Sequence, residues 1–125
     1  MWICLNDSFL SIVATPEDPD TLLVRARFQG DIEAVFPGAD VIHLPKRDYA
    51  FRAYLDRGMV TTAIANRVHT IDYGNFKDSV PSRERHDVYL DLWSVMRRAQ
   101  NMFRGRKPGA GPQPKSRPTS SPFFM

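Results

Sequence analysis

Hydrophobic and polar positions alternate with period two in two segments of the first half of the chain. In residues 21–28 the even positions are apolar and the odd positions include two arginines, and in residues 49–55 the odd positions are apolar. Such alternation predicts strands that are buried on one face only. Two shorter apolar runs, at residues 9–14 and 41–44, predict two further strands. The first half is therefore expected to form a four-stranded sheet.

Apolar positions recur with helical spacing in the second half. Val60, Ile64 and Val68 follow Asp56, a residue type that caps helix N-termini, and they predict an amphipathic helix. The proline–serine pair at 81–82 is expected to open a longer helix, whose apolar stripe we expect to face the core. That stripe consists of Val88, Leu92, Val95, Met96, Ala99, Met102 and Phe103.

The order of these elements indicates the fold class. A short helix over residues 32–36, capped by Asp31, separates the second strand from the third. Strands and helices that mix in the order strand, strand, helix, strand, strand, helix, helix indicate an α+β fold rather than a doubly wound parallel sheet. With a right-handed crossover, the order predicts a ferredoxin-like four-stranded antiparallel sheet with helices on one face and its edge strand moved to the N-terminus.

Charge is divided unevenly along the 125 residues, whose formal net charge is +3. Residues 104–125 hold five basic residues, no acidic residue and five of the ten prolines, whereas residues 1–103 hold 12 basic and 14 acidic residues. A segment of this composition cannot bury enough apolar surface to offset the entropy of ordering. The sequence thus predicts one domain, residues 1–103, followed by a basic disordered tail, residues 104–125.

Several functional classes are disfavoured by what the sequence lacks. No apolar run reaches the roughly 20 residues that span a bilayer, and no basic segment typical of a secretory signal opens the chain. The single cysteine, Cys4, excludes a disulfide framework and suits a reducing cytoplasm. The histidines His43, His69 and His86 have no metal-ligand spacing. We expect a cytoplasmic, non-enzymatic protein without cofactor, metal site or membrane contact.

The candidate binding residues lie on the outward face of the predicted sheet and in one loop. The outward face presents Arg25, Arg27, Arg52 and Tyr54. These side chains could anchor a protein partner or a second copy of the chain, or contact the phosphates and bases of a nucleic acid. They could equally be solvated, as the exposed faces of antiparallel sheets usually are. The loop residues, which either fill gaps beneath the helices or contact a partner, are Asp72, Tyr73, Asn75, Phe76 and Lys77.

Six short motifs resemble a family of small bacterial and phage-borne proteins of unassigned function. The motifs are Met-Trp-Ile at 1–3, Phe-x-Ser-Ile-Val at 9–13, Val-Arg-Ala-Arg at 24–27, Asp-Tyr-x-Phe-Arg at 48–52, Ile-Asp-Tyr-x-Asn-Phe-Lys at 71–77, and a helix with Tyr89 and Trp93. Small proteins of mobile-element origin include inhibitors of host defence such as anti-CRISPR proteins. The resemblance therefore implies an inhibitor or accessory factor of this type.

Taken together, these features predict a small non-enzymatic protein-interaction domain, with nucleic-acid binding through the basic sheet face and tail as the alternative. The sheet face and the loop at 72–77 are preferred over the helices as the binding surface, because the strands of the sheet face concentrate three arginines with no acid on the same strands. Like charges on adjacent strands are mildly destabilising until a partner neutralises them. The helix exteriors mix both signs, which is typical of a solvated surface.

Overall fold

The computed structural model describes residues 1–104, which contain five strands and three α-helices. The strands are β1 (Trp2–Cys4), β2 (Phe9–Thr15), β3 (Asp18–Ala26), β4 (Ile42–His43) and β5 (Phe51–Asp56). The helices are α1 (Asp31–Val35), α2 (Arg57–His69) and α3 (Arg83–Phe103), and a 3₁₀ turn at Lys77–Ser79 precedes α3. The tail predicted to be disordered lies, apart from Arg104, outside the described residues.

The strands pair antiparallel in one sheet, in the order β1-β2-β3-β5-β4. The first three strands form a meander, α1 then crosses to the edge strand β4, and β5 returns between β4 and β3. The α+β class and the antiparallel sheet predicted from the sequence are confirmed. The predicted number of four strands is wrong, because residues 2–4 pair with β2 as a fifth strand, with Trp2 opposite Ser11.

Two strands have different limits from those that the alternation predicts. β5 begins at Phe51 because the φ of Tyr49 is 51°, in the left-handed region that strands do not use. The Tyr49 ring was expected to point inward with Phe51, but it is buried against Arg25 instead. β3 ends at Ala26, and Phe28, which was also expected to point inward, is 54% exposed.

α1 and α2 pack on one face of the sheet, which we call the covered face. Asp56 caps α2 as predicted, because its carboxylate accepts a hydrogen bond from the Met59 amide at 3.1 Å. Burial of apolar side chains between these helices and the sheet stabilises the domain by about 25 cal/mol per Å² of apolar surface. The core residues are Leu10, Ile12, Val24, Ala26, Ala53 and Leu55 of the sheet with Ile32, Val35, Phe36 and Val60.

The opposite face of the sheet, which we call the open face, is not covered by α1 or α2. Residues directly opposite one another in antiparallel strands point to the same side, so the register defines rows of side chains across this face. One row is Trp2, Ser11, Arg25 and Arg52, and the next row is Val13, Leu23 and Tyr54. The predicted candidates Arg25, Arg52 and Tyr54 therefore lie together on the open face.

α3 stands at one end of the sheet rather than on the covered face. As predicted, its N-terminus follows Ser82, whose hydroxyl accepts a hydrogen bond from the Arg85 amide at 3.3 Å. The Arg85 guanidinium donates two hydrogen bonds to the Asp31 carboxylate, at 3.1 and 2.7 Å. One turn later, the Tyr89 hydroxyl donates to carbonyl oxygens in the turn between β1 and β2, at 2.9 and 3.0 Å. The prediction that helices cover one face holds for α1 and α2 alone.

The apolar stripe of α3 is exposed, so the prediction that it faces the core is wrong. Tyr89 is the buried residue of this helix, whereas Val95 is 47% and Met102 70% exposed. The reason is that α3 is attached to the domain near its N-terminus only. The side chains that hold α3 to the rest of the domain come from its first three turns, and the stripe continues beyond them.

Candidate functional site

Three of the predicted binding residues, Arg25, Arg27 and Arg52, come together around Tyr49. The guanidinium carbons of Arg25 and Arg27 lie 4.6 and 4.1 Å from the centre of the Tyr49 ring, within the range of cation–π attraction. Arg52 donates a hydrogen bond from Nε to the Tyr49 carbonyl oxygen at 3.3 Å. The left-handed backbone of Tyr49 makes the cluster possible, because it turns the ring toward the open face.

Arg25 holds this cluster together from within. Its Nη2 donates a hydrogen bond to the buried Ser11 hydroxyl at 2.8 Å while its guanidinium lies against the Tyr49 ring. Its Nε is buried and has no hydrogen-bond partner among the residues described. A buried donor without a partner costs about 1–3 kcal/mol. The guanidinium of Arg25 is thus engaged by Ser11 and Tyr49 within the domain. Neighbouring side chains of the open face, and not Arg25, are the ones available to contact a partner.

Arg27 already has an acidic partner in the same chain, because it forms a surface salt bridge with Asp48. The hydrogen bond to Asp48 raises the pKa of Arg27 above its ordinary value. The sequence pattern did not reveal this acid, because it lies in a turn 21 residues away from Arg27. Arg25 and Arg52, which are directly opposite each other in β3 and β5, have no acidic partner within residues 1–104.

Two large aromatic side chains are exposed on the open face. Tyr54, a predicted candidate, is 59% exposed, and Trp2, which was not predicted, is 71% exposed. The Trp2 ring meets Phe9 edge to face, with 6.2 Å between the ring centres. The available signal for Trp2 was the short apolar run at residues 2–5, which the four-strand prediction left out of the sheet.

The predicted loop at 72–77 packs against α3. The Phe76 ring stacks on Tyr89 with 5.3 Å between ring centres, and Tyr73 lies 5.9 Å from Phe76. The Lys77 ammonium lies 5.1 Å from the centre of the Trp93 ring. Of the two alternatives for this loop, the structural one describes Tyr73 and Phe76, because their rings support the first turns of α3.

The remaining loop candidates, Asp72 and Asn75, are exposed. The Asn75 side chain accepts a hydrogen bond from the Asp78 amide at 3.2 Å, which stabilises the 3₁₀ turn. Asn75 also lines a cleft with Cys4, so the loop borders the β1 side of the open face. Burial raises the pKa of the Cys4 thiol above 9.0, which makes this thiol a poor nucleophile at neutral pH.

A groove that no sequence pattern indicates separates α3 from the end of the sheet. It has a volume of about 450 Å³. One wall comes from β2 and the segment after β3, and the other comes from the first turns of α3. The apolar residues that line it are Phe9, Phe28, Val88 and Leu92, and the charged ones are Arg27, Glu84 and Arg85.

Within residues 1–104, no three His, Cys, Asp or Glu side chains lie close enough to hold a metal ion. In the same part of the chain, no helix combines the length and the apolarity that a membrane span requires. Comparison of the chain with protein-family models, with curated proteins and with solved structures found no match. The open face and the groove are therefore the basis for assigning a function.

Proposed function

We propose that this protein is a small non-enzymatic protein-interaction domain that binds a protein partner through the open face of its sheet. The observation that supports this is the exposure of Trp2 and Tyr54 on a face that also carries arginines. Tryptophan, tyrosine and arginine are the residues most enriched in the energetic centres of protein interfaces. The half-buried Val13 and Leu23 extend the apolar surface in the row of Tyr54.

The charges of the open face indicate the chemistry of the partner. Arg27 already has Asp48, but Arg25 and Arg52 face each other across β3 and β5 without an acid. Like charges directly opposite in a sheet destabilise it, and a carboxylate can accept two parallel hydrogen bonds from one guanidinium. The face therefore fits a protein surface that presents Asp or Glu side chains around an apolar patch, with Arg52 as the main charged contact.

Nucleic-acid binding is the second candidate, and the same cluster of arginines favours it. Guanidinium groups can bind phosphates, and exposed aromatic rings can stack on unpaired bases. However, residues 1–103 hold 14 acidic and 12 basic residues, whereas nucleic-acid-binding domains are usually basic. A protein partner is therefore the preferred assignment.

Two finer assignments belong to this proposal. We class the order β2-β3-β5-β4, with its crossover through α1, as a ferredoxin-like arrangement with the edge strand at the N-terminus, to which β1 is added. The role implied by the family resemblance, an inhibitor or accessory factor directed at host defence, would use the open face to block its target.

The test is a capture experiment with matched variants of the full chain. Tyr54→Ala removes an aromatic anchor from the open face, and Arg52→Glu reverses a charge there. Val68→Ala is the control, because Val68 is 62% exposed on α2 and thus as accessible as Tyr54. Each protein is immobilised and exposed to an extract of the source cells, with and without nuclease, and the retained proteins are compared by mass spectrometry.

We expect the same partner proteins on the wild type and on Val68→Ala, with or without nuclease, and their loss from both open-face variants. Retention that disappears with nuclease and falls steeply with salt would favour the nucleic-acid candidate. Retention that survives both Tyr54→Ala and Arg52→Glu would contradict the proposal.

A further inference from the structure

The exposed stripe of α3 has the repeat that paired helices use. Its apolar residues Val88, Leu92, Val95, Ala99 and Met102 follow one another at spacings of four, three, four and three residues. This is the spacing of the a and d positions in helices that pack side by side along their length.

The stripe is exposed over most of its length. Val88, Leu92 and Val95 are 49%, 42% and 47% exposed, and Met102 is 70% exposed. Single exposed apolar side chains are normal on protein surfaces. A contiguous apolar stripe of this kind marks an interaction site instead.

We propose that two copies of this chain associate through α3 in an antiparallel pair. In one register, Leu92 lies opposite Val95 of the second copy and Val88 lies opposite Ala99 of the second copy. The two-fold symmetry of such a pair repeats both contacts, so the four positions form a continuous seam. Each layer sets a larger side chain against a smaller one, which favours close packing.

The same register fills the groove at the N-terminal half of α3. Because Val88 is opposite Ala99 of the second copy, the last turn of that helix reaches the groove lined by Phe9 and Phe28. Met102 of the second copy is the side chain that enters it, and flexible methionine side chains adapt well to irregular apolar gaps. Each copy thus offers a groove at one end of α3 and an exposed apolar segment at the other.

Charge complementarity favours a second copy of this chain as the partner of α3, and it favours the antiparallel direction. Asp91 and Arg98 are seven residues apart and border the seam on one side of the helix. Within residues 1–104 neither side chain has an ion-pair or hydrogen-bond partner. The register that aligns the apolar layers sets Asp91 opposite Arg98 of the second copy, and symmetry makes this pair twice. A parallel pair would set Asp91 beside Met96 and leave both grooves empty.

The first test measures the mass of the full chain by sedimentation velocity, after nuclease treatment, between about 1 µM and 1 mM. We expect a concentration-dependent dimer. Val95→Glu should raise its Kd at least about 100-fold, because a carboxylate would be buried beside Leu92 of the second copy. The control is Leu90→Glu on the other side of α3, where Leu90 is 38% exposed, and it should change the Kd less than about threefold.

The second test reverses the charges. Asp91→Arg and Arg98→Asp should each weaken the dimer, because each sets two like charges opposite each other, and the double variant should restore it. Circular dichroism verifies that every variant keeps its helix content. No restoration in the double variant, or equal effects of Val95→Glu and Leu90→Glu, would overturn the proposal.

A third set of samples tests the other candidate occupant of the groove, which is the apolar segment at residues 123–125 of the same chain. The variant carries Phe123→Ser, Phe124→Ser and Met125→Ser in the full chain. If the wild type is a monomer up to about 1 mM, the proposal is overturned. A dimer that appears only in this variant would assign the groove to the chain's own end. The open-face variant Tyr54→Ala should leave the dimer intact, so this inference and the proposed function fail separately.

Discussion

α2 and α3 both have apolar residues at helical spacing, yet one lies on the sheet and the other extends past its end. α2 follows β5 directly and returns along the covered face, where Val60 is buried. α3 follows the loop at 72–77 and meets the domain through side chains such as Arg85 and Tyr89. An apolar stripe in the sequence therefore does not show by itself whether the rest of the domain covers the helix.

The two helices also differ in how they depend on an ion pair. Near the end of α2, Arg67 donates two hydrogen bonds to Asp7, at 3.0 and 2.8 Å, and these side chains are 25% and 40% exposed. At the start of α3, Arg85 and Asp31 are 16% and 4% exposed. α2 has an apolar interface with the sheet in addition to its ion pair, whereas the attachment of α3 rests on its ion pair, on Tyr89 and on the loop at 72–77.

The largest effect should come from removing the acid that holds α3. Asp31→Ala leaves Arg85 partly buried without a counter-charge and the Phe9 amide without the acceptor that it has at 3.0 Å. We expect the free energy of unfolding in urea to fall by about 3–5 kcal/mol. Asp7→Ala, which breaks the more exposed pair of α2, should cost about 1 kcal/mol. Equal losses in the two variants would contradict the contrast between the helices.

A smaller difference in the free energy of unfolding is expected between truncations of apolar residues in α2 and in α3. Val60→Ala creates a cavity in the covered face and should lower the free energy of unfolding by about 2 kcal/mol. Val95→Ala truncates an exposed side chain and should cost less than about 0.5 kcal/mol in the monomer. Both are measured in urea at a protein concentration below that of association. A loss in Val95→Ala as large as in Val60→Ala would mean that the stripe of α3 is covered within one chain.

The smallest effect concerns the Tyr89 hydroxyl. Tyr89→Phe removes its hydrogen bonds to two carbonyl oxygens and should cost about 1 kcal/mol. Burial raises the pKa of Tyr89 above 10.0, so the folded state favours the neutral phenol. This stabilisation is present below pH 10.0 and is lost as the pH rises through the higher value of the folded state.

The measurement is the fluorescence of Trp93, which lies in the turn of α3 after Tyr89, followed in a Trp2→Phe background as the pH is raised. We expect a transition above pH 10.0 that Tyr89→Phe removes. The same transition in both proteins would assign it to another ionisable group.

Local signals of the sequence predicted most elements of the fold. Asp56 and Ser82 begin helices where expected, because an N-cap depends on the residue and on its near neighbours. The candidates Arg25, Arg52 and Tyr54 share a face, because strand parity alone settles which side a residue takes. The left-handed backbone of Tyr49 was not predictable in this way, since a tyrosine adopts it only when tertiary contacts compensate.

The sequence by itself determined the α+β class, the starts of α2 and α3 and the grouping of arginines on one sheet face, because these depend on short-range geometry and on periods of two and about four. It did not determine the start of α1, whose N-cap is Gly30 and not the predicted Asp31. Only the tertiary structure decided which charges are paired and which apolar stripe is covered. Asp48 reaches Arg27 across 21 residues, and Asp31 reaches Arg85 across 54. Contacts over such separations depend on how elements pack, and the sequence pattern of α3 is the same whether a sheet, a second copy or water lies against it.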